Sequence, residues 1–291
     1  MSDAPGRAGG EPTVPFAAPG WDLGRVQVAP AGRPLVMGIV NLTPDSFWAG
    51  SRAGAVDEAV AFALRLEAEG ADLLDLGAES SRPGAQAVGA AAEQDRLLPV
   101  LAALRTETAL PLTVDTTRAA TARLALDAGA DAVNDITAGA DPGMLPLVAD
   151  RGCGLVLMHM QGTPRTMQDD PRYADVVAEV TGWLAARGRL AEEAGVPCAR
   201  LCIDPGIGFG KTLAHNLALL RGLDRIAGGR PLLLGASRKG FIGALTGAPV
   251  PDRLPGSLAA LAAAWRSRAA VVRVHDVAAS VQFLDVLAHL A

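Results

Sequence analysis

The residues of this chain that could do chemistry stand at the ends of short apolar runs. Asn41 closes Leu-Val-Met-Gly-Ile-Val, Asp115 closes Leu-Thr-Val, and Asn134 with Asp135 closes Ala-Val. His159 follows Gly-Leu-Val-Leu-Met, Asp204 closes Leu-Cys-Ile, and Lys239 follows Pro-Leu-Leu-Leu-Gly-Ala-Ser-Arg. Arg273 and His275 end the last run, and Ser81 with Arg82 lies in the turn-rich stretch after Leu-Leu-Asp-Leu-Gly. A single Asp at such a place is commonly a helix N-cap. So many polar run ends together are better explained as one socket.

Residue type says what the socket could hold. Asp115 and Asp204 are acceptor-only carboxylates and Asn134 adds an amide, a set suited to a ligand edge rich in N–H donors, such as a guanidine-like pyrimidine. Lys239 is a donor suited to a carbonyl or ring nitrogen, or else the ion-pair partner of one of the aspartates. Arg273 and His275, two apart on a strand, share a side. With Arg82 they form a cationic corner suited to phosphate oxygens. Asn41 offers a neutral oxygen to a Mg²⁺ that keeps most of its waters and bridges phosphates, or is simply a turn former. The run Asp204-Pro-Gly-Ile-Gly-Phe-Gly-Lys211 lacks phosphate-loop spacing. It reads as a tight turn that either places Phe209 over the pocket or packs it away.

The elements that must position these groups follow from the pattern. Apolar strands at 35–41, 73–77, 112–115, 132–135, 154–158, 201–204, 231–235 and 270–275 alternate with helices. Helices are expected at about 56–69 (closed by Gly70), from about 90 to 106, up to Gly129, at about 173–194, and along the last stretch to Leu290. Eight such units in roughly 250 residues predict a closed (β/α)8 barrel, in which strand carboxyl ends face the active site. A Rossmann sheet would want a glycine fingerprint after the first strand, and Asn-Leu-Thr-Pro is not one. A short hairpin or cap is expected over 21–33, and the Ala/Pro/Gly-rich residues 1–20 read as a disordered tail before a single barrel domain at 21–291.

Composition narrows the class. The chain has 291 residues, half of them hydrophobic, and a formal net charge of −5 without a basic run, which argues against a nucleic-acid surface. No uninterrupted apolar stretch reaches the ~20 residues of a membrane span. Cys153, Cys198 and Cys202 lack the spacing of a zinc site and read as buried thiols, a usage that fits a reducing cytoplasm.

The motifs Met37-Gly-Ile-Val-Asn-Leu-Thr-Pro-Asp-Ser-Phe47, Glu79-Ser-Ser-Arg-Pro-Gly-Ala85, Thr113-Val-Asp-Thr116, Val133-Asn-Asp-Ile136, Met158-His-Met-Gln-Gly162, Asp204-Pro-Gly-Ile-Gly-Phe-Gly-Lys211, Ser237-Arg-Lys239 and Arg273-Val-His-Asp276 together resemble the dihydropteroate synthase family, in the family's order. The resemblance implies a (β/α)8 transferase of folate synthesis. Such an enzyme condenses 6-hydroxymethyl-7,8-dihydropterin diphosphate with p-aminobenzoate. By the same resemblance Asp115, Asn134, Asp204 and Lys239 hold the pterin beside Met158, and Asn41 binds Mg²⁺. Arg82, Arg273 and His275 hold the diphosphate. Ser81, Pro83, Phe209 and Ser237 border the aminobenzoate, and Asp45 and Phe47 belong to a closing loop. Asp115, Asp204 and Lys239 are then the catalytic set, and a homodimer is expected.

The chemistry implied is dissociative, SN1-like substitution, because an arylamine needs no strong base and the barrier lies in breaking the bond to diphosphate. Loops at about 42–54 and 78–89 are expected to close and exclude water. Two positions depart from the family. Ala49 stands where a loop Asp is usual, and Ser81 replaces Thr. Ala49 motivates an alternative, a paralogue that binds pterin diphosphate with weak or no synthase activity. A second alternative, a pterin-binding methyltransferase domain, is opposed by Ser237-Arg238-Lys239, by the Arg273/His275 pair and by the lack of a cobalamin-binding domain.

Overall fold

The computed structural model describes residues 16–43, 52–80, 84 and 88–290. Two short strands, β1 (Trp21–Asp22) and β2 (Gln27–Val28), pair antiparallel, with Trp21 opposite Val28. Eight parallel strands follow: β3 (Leu35–Asn41), β4 (Leu73–Gly77), β5 (Leu112–Asp115), β6 (Ala132–Asp135), β7 (Gly154–Met158), β8 (Leu201–Asp204), β9 (Leu233–Leu234) and β10 (Val271–Val274). Their order is β8-β7-β6-β5-β4-β3-β10-β9. The sheet ends meet where Ile203 bridges Leu232 and the Ile203 amide donates to the Pro231 carbonyl at 2.8 Å, which closes the barrel.

The strands are apolar on both faces, as a parallel sheet covered by helices requires. Alternation then divides the core in two. Val36, Val40, Leu74, Leu76, Val114, Val133, Leu155 and Ile203 point outward and join the helix residues in one cluster. Met37, Leu73, Ala132, Val156, Cys202, Leu233 and Val271 point inward and join Trp21 and Leu23 in another. The hairpin therefore plugs the amino-terminal end of the barrel, with the Trp21 indole N–H donating to the Arg200 carbonyl at 2.8 Å.

The helices are α1 (Arg52–Ala68), α2 (Ala90–Glu107), α3 (Ala119–Asp127), α4 (Met144–Arg151), α5 (Val176–Glu193), α6 (Leu213–Arg221), α7 (Gly240–Thr246), α8 (Leu254–Arg266) and α9 (Val277–Leu290). The sequence does not single out α4, α6 or α7. They span 8, 9 and 7 residues, too short for a clear 3.6-residue period. The expected disordered tail is also revised at its end. Phe16 is buried, with its ring centroid 4.8 Å from that of Trp265. Residues 1–15 lie outside the described residues. Of the three thiols expected to be buried, Cys153 and Cys202 are, whereas Cys198, in the turn just before β8, is exposed.

Candidate active site

Register places the polar groups. Asn41 lies opposite Gly77, Gly77 opposite Asp115, and Asp115 opposite Asn134, so one row crosses four adjacent strands at the carboxyl end of the barrel. Asp204 lies opposite Met158 across β7 and β8. Asp75 lies opposite Thr113, one step deeper. All these positions share the inward parity of the apolar plug, so the barrel interior is greasy below and polar above.

The floor of the polar half is a network. Arg273 Nε donates to Asp75 Oδ2 at 2.6 Å and its Nη2 to Asp115 Oδ2 at 3.1 Å. Asp75 also accepts from Asn134 Nδ2 at 3.0 Å and from the Thr113 hydroxyl. Across the mouth, Asp204 Oδ1 accepts from the Gly206 amide at 2.7 Å. A Cβ built on Gly235 would lie 3.7 Å from Asp204 Oδ2, 3.9 Å from Lys239 Nζ and 4.0 Å from Arg273 Cβ. A glycine here keeps open the space on which those three side chains converge. Met158 is buried beside them and Ser237 Oγ is 3.0 Å from His275 Nδ1.

The loop after β8 behaves as a glycine turn. Gly206 has φ +66°, and a Cβ there would lie 1.9 Å from the His159 carbonyl oxygen. Only glycine fits that approach. The turn sets Phe209 against Lys239, whose ammonium lies 4.5 Å from the ring centroid and also donates to the Ile207 carbonyl. Phe209 thus stands beside Lys239. Among the described residues no ion pair within 4.0 Å joins Lys239 to Asp115 or Asp204, although the charges of both aspartates act on it.

Three expectations are revised. Arg273 does not stand free beside His275 for phosphate oxygens; its guanidinium is held by two carboxylates on the floor. His159 follows the inward-facing Met158 and so turns outward, with its ring 4.9 Å from Trp183 edge-on and Nδ1 3.0 Å from Lys211 Nζ. Asp135 also faces outward, accepting from the Thr137 amide at 2.7 Å and the Gly139 amide at 2.8 Å. Asp45, Phe47, Ala49, Ser81, Arg82 and Pro83 lie outside the described residues. Asp75 and Lys211 were missed by sequence reasoning. An Asp inside Leu-Leu-Asp-Leu-Gly, on the parity of the interior, was the available signal for Asp75.

Electrostatics follow from burial. Desolvation pushes the Asp115 carboxyl up to about 7, with Arg273 opposing the shift and the Asp75 charge adding to it. Asp204 is raised for the same first reason, against the pull of Lys239. Desolvation brings Lys239 down to about 8 and Lys211 to about 7. The mouth therefore carries acceptors and a cation whose charges are poorly solvated and respond strongly to a polar ligand. Among the described residues no cluster of three or more His, Cys, Asp or Glu could hold a metal. Asn41 has no side-chain partner among them and suits an ion whose remaining ligands are water and a phosphate-bearing substrate.

A family model described as pterin binding enzyme matches residues 37–275, which run from within β3 to just past β10. The dihydropteroate synthase of Neisseria meningitidis serogroup B is 44% identical, over 91% of this chain and 95% of that protein. The dihydropteroate synthase of Xanthomonas albilineans, solved with 4-aminobenzoic acid, superposes with a TM-score of 0.86 at 48% identity, covering 93% of this chain and 97% of that one. That of Burkholderia cenocepacia, complexed with 7,8-dihydropteroate, gives 0.85 at 45% identity over 94% and 96% of the two chains. Matching family, barrel and length together, the chain belongs to the pterin-binding enzyme family, alongside the dihydropteroate synthases.

Proposed function

We propose that this protein is a dihydropteroate synthase. It joins the amine of p-aminobenzoate to the methylene of 6-hydroxymethyl-7,8-dihydropterin diphosphate, giving 7,8-dihydropteroate and diphosphate. The observation that carries the reading is the set of acceptors at the strand ends, Asp115 beside Asn134 and Asp204, with Lys239 meeting Asp204 above Gly235. A pterin edge offers ring and exocyclic N–H donors to the carboxylates and amide, and a carbonyl or ring nitrogen to the lysine.

The bond to break is the C–O bond between the pterin methylene and diphosphate, and the electron pair leaves with diphosphate. The cation left behind is delocalised into the pterin. Asp115 and Asp204, fixed beside it in a poorly hydrated mouth, stabilise that charge without reorganising. The arylamine nitrogen then attacks with its lone pair and sheds a proton to solvent. Phe209 and Ser237 border the approach of the aminobenzoate. Arg273 stays on the floor between Asp75 and Asp115, and His275 with Arg82 serves the diphosphate end. In this reading Ser81 and Pro83 serve the aminobenzoate, and Asp45 and Phe47 serve loop closure. Asn41 would hold Mg²⁺, which when bound neutralises charge on the leaving diphosphate.

Diphosphate release with both substrates and Mg²⁺ tests the proposal. Release that depends on p-aminobenzoate and on protein is expected, and none above the protein-free control would refute it. Ala49 favours one second reading, a pterin-diphosphate binder with weak turnover. Under it, Ala49→Asp raises turnover, and unchanged turnover would show the loop carboxylate to be dispensable. A cytoplasmic homodimer is part of the proposal. Exposed Leu245, Val250, Val286 and Leu290 on and near α7 and α9 support the dimer, and sedimentation checks it. Among the described residues no helix is long and apolar enough to cross a membrane.

A further inference from the structure

Asp75 touches none of the space that Asp204, Lys239 and Arg273 enclose at Gly235, yet it accepts from three side chains that belong to the site or support it. It is fully buried, in the middle of β4, and its side chain is reached by Arg273 from β10, Asn134 from β6 and Thr113 from β5. Facing a guanidinium at 2.6 Å, its carboxylate is acceptor-only. That chemistry forces the orientation of Asn134: the NH₂ group must face Asp75, and the amide oxygen is turned away from it. No donor among the described residues reaches that oxygen.

We propose that Asp75 is a positioning residue that sets the donor–acceptor polarity of the pterin socket, by holding the Asn134 amide oxygen free for a ligand N–H and by holding the Arg273 guanidinium across the floor beneath it. The inference rests on the pterin reading of the site. With Asp75 in place the socket offers three acceptors, Asp115, Asn134 Oδ1 and Asp204, and one donor, Lys239. Arg273 and Asn134 share the Oδ2 atom of Asp75, so a side chain without an acceptor at position 75 leaves both without their partner, and the relief is for the Asn134 amide to flip or for Arg273 to leave the floor. A flipped Asn134 presents a donor to a ligand donor, which selects against a pterin edge.

Asp75 also acts on Asp115 through charge. Asp115 is faced by Arg273 from β10, by Asp75 from β4, by Asp135 from β6, by Glu93 from α2, and by Lys239 beyond β9. Asp75 raises the Asp115 carboxyl and competes with it for Arg273. Neutralising position 75 removes a repulsion and frees Arg273 for Asp115, so both effects lower the pH at which Asp115 ionises. A residue that merely filled space would leave that pH where it is.

The test is calorimetric titration of Asp75→Leu, which has nearly the same shape and no acceptor, with 6-hydroxymethyl-7,8-dihydropterin, which lacks the diphosphate, from pH 5 to 8, beside the wild type. Asp75→Ser, which keeps an oxygen acceptor and leaves room for a water, is the second variant should the first not fold. Affinity at pH 8 is expected to fall about tenfold or more, the loss of one well-oriented hydrogen bond. The midpoint of the pH dependence is expected to move below that of the wild type. Wild-type affinity with an unmoved midpoint in a folded variant overturns the role of Asp75 and leaves the pterin reading standing. No binding by the wild type itself overturns the pterin reading instead. Failure of both variants to fold while Thr113→Val folds would also overturn the proposal, because Asp75 would then be a scaffold residue.

Discussion

Lowering the pH from 8 to 6 should weaken pterin binding through one carboxyl, that of Asp115. Burial holds its midpoint at about 7 in the free protein, and the ionised form is the one that accepts ligand N–H groups. The sign is that of an acid whose folded value is raised, so the binding form is present above 7 and lost as pH falls through it. With a midpoint near 7, roughly 90% of the molecules carry the carboxylate at pH 8 and roughly 10% at pH 6. Affinity for the diphosphate-free pterin should therefore drop about tenfold, about 1.4 kcal/mol, across that interval. Calorimetry in two buffers of different ionisation enthalpy reads both the affinity and the protons released, close to one per site at pH 6 and close to none at pH 8. Asp115→Asn should bind more weakly at pH 8 and show almost no slope. Equal wild-type affinity at pH 6 and 8 would refute the argument. So would a slope that persists in Asp115→Asn, since another group such as Asp204 would then be titrating.

Three further outcomes follow from the loops and the rim. Gly206→Ala forces a Cβ to within 1.9 Å of the His159 carbonyl at positive φ, so the melting temperature should fall and the turn carrying Phe209 should shift, weakening p-aminobenzoate binding more than pterin binding. Lys211→Met removes donors to His159 Nδ1, the His159 carbonyl and the Phe209 carbonyl, and should cost about 1–3 kcal/mol in chemical unfolding at pH 7. Because burial lowers Lys211 to about 7, wild-type stability should rise with pH above 7 through this group, and the variant should lose that part of the rise. Asn41→Ala or removal of Mg²⁺ by chelation should suppress diphosphate release while leaving calorimetric binding of the diphosphate-free pterin within about twofold.

The barrel was legible because each apolar run ends in a polar residue and the runs recur with helix-sized spacing. The socket was legible for the same reason: Asp115, Asn134 and Asp204 end strands, and inward parity at one level of a closed sheet brings strand ends together. What escaped was whatever depends on a partner far away in the chain. Arg273 and Asp75 are separated by 198 positions, so nothing local tells that the guanidinium is taken up on the floor and not offered to phosphate. Asp75 sits mid-strand, where an acidic residue reads as an interruption. His159 shows the opposite error. Its place after Met158 made it a candidate, but one step along a strand reverses the face, and the ring went to Trp183.

The hairpin of β1 and β2 has a kinetic corollary. With Trp21 and Leu23 packed into one end of the barrel, small molecules are left to approach from the rim at the other end, on the side of Phe209 and Ser237. In the proposed reading a pterin held by Asp115 and Asn134, at the strand ends, would sit deeper than an aminobenzoate beside Phe209. The deeper guest must arrive first, and the joined product must back out whole past the same rim. Steady-state patterns should accordingly be sequential with the pterin leading, and p-aminobenzoate added in excess should slow the escape of bound pterin.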